Sequence, residues 1–169
     1  MKRRELIQIA SASLALPLHA LEPTKFFTVE EYALLDHLCE MILPSDADSP
    51  GARQAGVRRY IDITVFHSGA ETQQRWRDGL AAIQSLAWNR ESKDFLALTK
   101  QQQEAILALL AGRESNPGSD AEHFFLALKR MTIEGFFLSE TGQREWLGHR
   151  QHTFTKFAGC AHTDHLVKP

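Results

Sequence analysis

Two cysteines, Cys39 and Cys160, and four histidines near the C-terminus, His149, His152, His162 and His165, are the side chains best suited to chemistry. Two H-x-x-H pairs beside a cysteine are a candidate metal set, since imidazole and thiolate are the usual ligands of zinc. The gap between His152 and His162 leaves room for a loop to bring the pairs together. Against a metal, the order fits no zinc module, and a cysteine held in a disulfide is no ligand. Surface or hydrogen-bonded histidines are the expectation. Four carboxylates, Asp36, Asp46, Asp48 and Asp62, are candidates for acid/base pairs. Such work needs one of them buried, and turn and helix-surface roles explain them better.

The recurrent cofactor motifs are missing. There is no G-x-G-x-x-G behind a strand, no phosphate-binding G-x-x-x-x-G-K-[ST] and no H-E-x-x-H. No C-x-x-C-H is present for covalent haem, and two cysteines alone do not hold an iron–sulfur cluster. Redox chemistry needs a cofactor, and this chain offers no recognisable seat for one. The expectation is that it carries no catalytic, cofactor-binding or metal-binding residues. The net charge is −2 with no basic cluster beyond the N-terminus, which argues against phosphate-backbone binding.

Residues 1–20 read as an export leader. Lys2-Arg3-Arg4-Glu5 is followed by an apolar stretch over 6–18 and the small Ala20, the layout of a secretory signal. The pair Arg3-Arg4 points to the twin-arginine route. An amphipathic first helix is the competing reading. Export implies an oxidising, periplasmic compartment. There a Cys39–Cys160 bridge is expected, closing a loop worth about 4–5 kcal/mol in the chain-entropy account. Two unpaired thiols are the alternative. Without the leader's +2 the remainder carries about −4, further still from a nucleic-acid binder.

The elements that position these residues are helices. Capping boxes at Thr28 with Glu31, Thr99 with Gln102 and Ser119 with Glu122 mark three starts,. The first opens a helix with a stripe of Glu31, Leu35, Leu38, Cys39 and Ile42. Phe27 is placed to staple onto Tyr32. Helices are predicted over about 53–66 and 70–87, with a break at Asn89-Arg90-Glu91-Ser92 and a short turn over 95–98. The box at Thr99 opens a helix closed by Gly112, and 113–118 reads as a flexible loop. The helix from Ser119 presents Phe124, Phe125, Leu128, Met131, Thr132, Gly135 and Phe136 over more than half its circumference, so it should be central. A short helix and an irregular tail follow. No useful period-2 alternation appears. The expected fold is an all-α, single-domain orthogonal bundle of six to seven helices over 24–169. No apolar run reaches the roughly 18–20 residues of a membrane span.

Between the first two helices lies Ile42-Leu43-Pro44-Ser45-Asp46-Ala47-Asp48-Ser49-Pro50-Gly51-Ala52-Arg53-Gln54-Ala55-Gly56-Val57. Pro44 stops a helix, Asp46, Asp48 and Ser49 form turns, and Pro50-Gly51 is a turn signal. By itself this is a helix–helix connector. Together with other residues it resembles the gluconate 2-dehydrogenase subunit 3 (gamma, small subunit) family. The matching residues are Phe26-Phe27-Thr28 with Glu31, and Ile42-Leu43-Pro44, Asp46, Asp48, Pro50-Gly51-Ala52 and Ala55-Gly56-Val57 in and around the loop. Tyr60-Ile61-Asp62, Met131-Thr132, Gly135-Phe136-Phe137, Ser139 with Thr141-Gly142, and Gly159-Cys160 complete the match.

That resemblance implies an exported, non-catalytic partner of a large FAD-containing dehydrogenase of gluconate, sugars or polyols. It also implies a possible cytochrome c subunit carrying haem c, and membrane association only through the complex. The small subunit would carry the twin-arginine signal for the folded large subunit and help it mature, in a chaperone-like role. The alternative is a free-standing exported enzyme or metal-binding protein using the histidine-rich tail. Ten Phe and three Trp exceed what the core must hold, and any exposed remainder would mark a protein interface.

Overall fold

The computed structural model describes residues 24–146. The described residues form helices and connecting turns, with no strand among them. Five α-helices follow in order: α1 (Val29–Ile42), α2 (Val57–Phe66), α3 (Ala70–Glu91), α4 (Lys100–Ala111) and α5 (Asp120–Leu138). A 3-10 turn, Phe95–Ala97, joins α3 to α4, and a π-helical segment, Gly142–Trp146, follows α5. This is the all-α bundle the sequence predicts.

The three capping boxes form as expected. The side chains of Thr28, Thr99 and Ser119 each accept from the backbone N–H three residues on, and the third residue's side chain answers the cap's own N–H. Each satisfies two donors that a helix start otherwise leaves bare. Phe27, ahead of the first cap, is buried in edge-on contact with Phe26 and Trp76.

Helix α5 is the central element. It packs against α1, α2, α3, α4 and the π-helical segment. Ala121, Phe124, Phe125, Leu128, Thr132, Gly135 and Phe136 are buried along it, so no side of this face is left to water. Its closest neighbour is α3, where Gly79 makes a notch for the Phe124 ring. A Cβ at Gly79 would lie 2.0 Å from that ring, and Trp76 meets Phe124 edge-on at 5.3 Å. Interlocking of this kind fixes helix register as well as burying apolar area.

Two boundaries differ from the sequence expectation. Helix α2 starts at Val57, and residues 52–56 form turns instead of its first helical turn. The cause is Gly56, whose φ of 68° is left-handed and incompatible with a continuing right-handed helix,. Helix α3 runs on through the predicted break to Glu91 and ends at Ser92, at φ 55°. Nothing in Asn89-Arg90-Glu91 forbids helix, and Arg90 in the last turn suits its negative end,.

Candidate functional site

The loop between α1 and α2 is built around a carboxylate outside it. Glu40, in the last turns of α1, accepts from the Ser45 backbone N–H at 3.1 Å and the Ser45 hydroxyl at 2.6 Å through Oε1. Its Oε2 accepts from the Arg53 backbone N–H at 2.8 Å. One side chain thus ties the entry of the loop to its exit. Partial burial opposes the charge on Glu40. The hydrogen bonds from Ser45 and Arg53, with the Arg53 charge, outweigh it and hold the carboxyl below its usual range,. An acidic group near a helix C-terminus is otherwise disfavoured, so these donors are what keep it there.

Backbone bonds complete the loop. Ala52 N–H donates to Leu43 O at 2.9 Å, Val57 N–H to Ala52 O at 3.0 Å, and Asp46 N–H to Ser49 O at 2.9 Å. Asp48 N–H donates to Asp46 Oδ1 at 2.9 Å, a local Asx turn,. Pro50, Gly51 and Ala52 are buried, whereas Pro44, Asp46 and Asp48 are exposed at the tip. Gly51 has no room for a side chain. A Cβ there would lie 2.4 Å from Ser45 N and 2.8 Å from the Pro44 carbonyl carbon. Gly56 is required for a different reason, its positive φ,. The predicted residues Pro44, Asp46, Asp48, Pro50, Gly51 and Gly56 are therefore brought together in one folded loop.

Beneath the loop lies Asp36, which the sequence places on a helix surface but the structure buries at 9 % exposure. Its Oδ2 accepts from Arg53 Nε at 2.8 Å. Its Oδ1 faces Arg58 Nη1 at 3.4 Å, a charge contact that lacks the geometry of a hydrogen bond. Arg58 also lies over the Tyr32 ring, 4.9 Å from its centre. The ion pair fastens α1 to the loop exit and to the start of α2.

Asp62 is the second correction, since it too is buried, at 2 % exposure. Its carboxylate accepts three backbone N–H groups from the segment ahead of α1. Lys25 donates to Oδ2 at 2.6 Å, and Phe26 and Phe27 donate to Oδ1 at 2.9 and 3.2 Å. Charge-assisted bonds to three donors offset the loss of water around the carboxylate. Arg77 closes the clamp from α3. It donates to the Phe26 carbonyl at 3.2 Å and lies 4.6 Å over the Phe26 ring. Asp36 and Asp62 were not legible as linchpins, because their donors come from other parts of the chain, and Glu40 was not because its bond to Arg53 forms only once the loop closes. The one local hint is that Asp62 lies next to the core residue Ile61.

Cys39 is a buried free thiol beside Thr132, whose hydroxyl lies 3.4 Å from Sγ. Burial, with only partial offset from Thr132, pushes its pKa up to about 12,. The expected partner Cys160 lies outside the described residues, and among those residues no bridge is seen. Arg3 and Arg4 of the leader, and His149, His152, His162 and His165 of the tail, also lie outside them. Among the described residues no group of three or more His, Cys, Asp or Glu is arranged to hold a metal. No helix among them is long and apolar enough to cross a membrane.

The surface carries large apolar side chains. Trp88 is 58 % exposed and Leu138 63 %, with Phe66 and Phe137 also open to solvent. A groove of about 750 Å³ runs between α1, α3 and the 3-10 turn.

The sequence matches the family described as gluconate 2-dehydrogenase subunit 3 over residues 29–154, most of the chain. Neither a curated protein nor a solved structure matches it.

Proposed function

The chain belongs to the gluconate 2-dehydrogenase subunit 3 family, and from that premise we propose that it is the non-catalytic small subunit of an exported, FAD-dependent dehydrogenase complex. The large subunit holds the FAD and oxidises a sugar, sugar acid or polyol. A cytochrome c subunit with haem c takes the electrons onward. The small subunit works in the periplasm, where it arrives through the twin-arginine route with the large subunit attached.

The observation that carries this reading is the family match across the whole described bundle from α1 to the π-helical segment. The exposed Trp88, Phe66, Phe137 and Leu138 support it, because aromatic and long aliphatic side chains are what a permanent protein interface covers,. The loop supports it in another way. Glu40, Asp36 and Gly51 hold the acidic tip with Asp46 and Asp48 in one shape before any partner arrives, which lowers the ordering cost of binding.

Co-expression with the large subunit tests the carrier role. With both chains intact, dehydrogenase activity is expected in the periplasmic fraction. Replacing Arg3 and Arg4 together by Lys should leave that activity in the cytosol. Export of the large subunit unaffected by this change would overturn the carrier role.

A further inference from the structure

The groove between α1, α3 and the 3-10 turn has an apolar floor of Leu34 and Leu80 and apolar walls that include Val29 and Leu96. Val29 is 75 % exposed and leaves an apolar wall of the groove open to solvent. The rim carries Glu30, Glu31 and Asp94 against the single cation Arg77, so the groove is apolar inside and acidic at its edge. An occupant should be an apolar segment with a basic end.

One segment of this chain has that chemistry. Residues 6–18 are mostly apolar, with Gln8, Ser11 and Ser13 among them, and follow Lys2, Arg3 and Arg4. The chain also enters the fold at the mouth of the same groove. Asp62 fixes Lys25, Phe26 and Phe27. Arg77, which holds the Phe26 carbonyl, is itself a groove residue. From Leu18 to Thr24 is a tether of six residues, with a reach of about 20 Å. A tether this short gives its segment an effective concentration of about millimolar, which an untethered competitor of equal affinity must exceed.

We propose that the apolar stretch of the leader, residues 6–18, docks into this groove of its own chain. It enters beside Val29, with its basic end toward the acidic rim. Docked there, the leader covers the apolar walls and is withheld from other binders until it is displaced. The inference does not depend on a flavoprotein partner, so its test is run on the isolated full-length chain.

The test is a cross-linking map of leader-bearing protein purified from the cytosol, in a Cys160→Ser background that leaves buried Cys39 unreactive. Ala10→Cys or Ala15→Cys in the leader is paired with Ala33→Cys or Ala97→Cys in the groove. The control pair places the second cysteine at exposed Gln101 on α4. Leader–groove links within one chain are expected at ten times the control yield or more. In a Glu30→Lys/Asp94→Lys variant that yield should fall about two- to five-fold, the range for exposed ion pairs. Equal yields at groove and control would overturn the proposal. So would links that form only between chains, which would make a second copy the occupant. Adding the large subunit gives the last arm. If the groove cysteines link to it and the leader never links to the groove, the groove belongs to the partner and the proposal fails.

Discussion

Three carboxylates organise the described bundle at the residue scale, and each accepts at least one bond from a donor more than ten residues away. Glu40 is the most testable. Its pKa is depressed in the fold, so the folded state favours the carboxylate. The stability it contributes is fully present above the unfolded carboxyl pKa of about 4.3 and is lost as pH falls through the lower, folded value. Glu40→Gln should cost about 1 kcal/mol at neutral pH, because one amide cannot accept all three bonds and solvent screens the site. The difference from wild type should shrink below about pH 4, read by urea denaturation at several pH values. A difference that stays constant into acid would contradict the assignment. Gly51 gives a second test. Gly51→Ala forces a Cβ against the backbone of Pro44 and Ser45, and should destabilise by about 1–3 kcal/mol. A loss within about 0.5 kcal/mol, the range of an ordinary surface substitution, would show that the loop is not closed this tightly.

At the element scale, the sequence announces what is encoded within a few residues and hides what is encoded across the chain. The starts of α1, α4 and α5 were legible because a capping box is complete within four residues. The burial of α5 was legible from the width of its apolar face. The start of α2 was not, because Gly56 takes its left-handed φ inside a loop closed by Glu40 of the preceding helix and by Leu43 at its C-cap. The roles of Asp36 and Asp62 were hidden for the same reason: an aspartate reads as a surface or turn residue until its donors are known. Caps also give graded predictions. Thr99→Ala and Ser119→Ala should each cost about 1 kcal/mol. The N-cap of helix α3 is Gly69, which offers no side-chain cap and has open space where a Cβ would sit. Gly69→Asp should therefore stabilise by a few tenths of a kcal/mol, the gain of a side-chain cap over glycine. Thermal melts of the three variants check the order. A stabilised Thr99→Ala, or a Gly69→Asp that loses more than either alanine, would contradict it.

On the scale of the whole molecule, one central helix holds the bundle together while its surface keeps apolar side chains that a solitary protein gains nothing by exposing. Trp88 and Leu138 are open on a chain whose core already buries nine aromatic or leucine side chains along α1, α3 and α5. Rigidity inside with apolar surface outside suits a subunit that docks without reshaping. The measurement that tests this most directly is affinity capture of the tagged, full-length chain from cells that hold its dehydrogenase complex. It is read by flavin absorbance and by mass spectrometry of the eluted chains. The account predicts a large flavoprotein in one-to-one ratio with this chain and the flavin spectrum in the same fraction. Elution of the chain alone, colourless and monomeric, would contradict it.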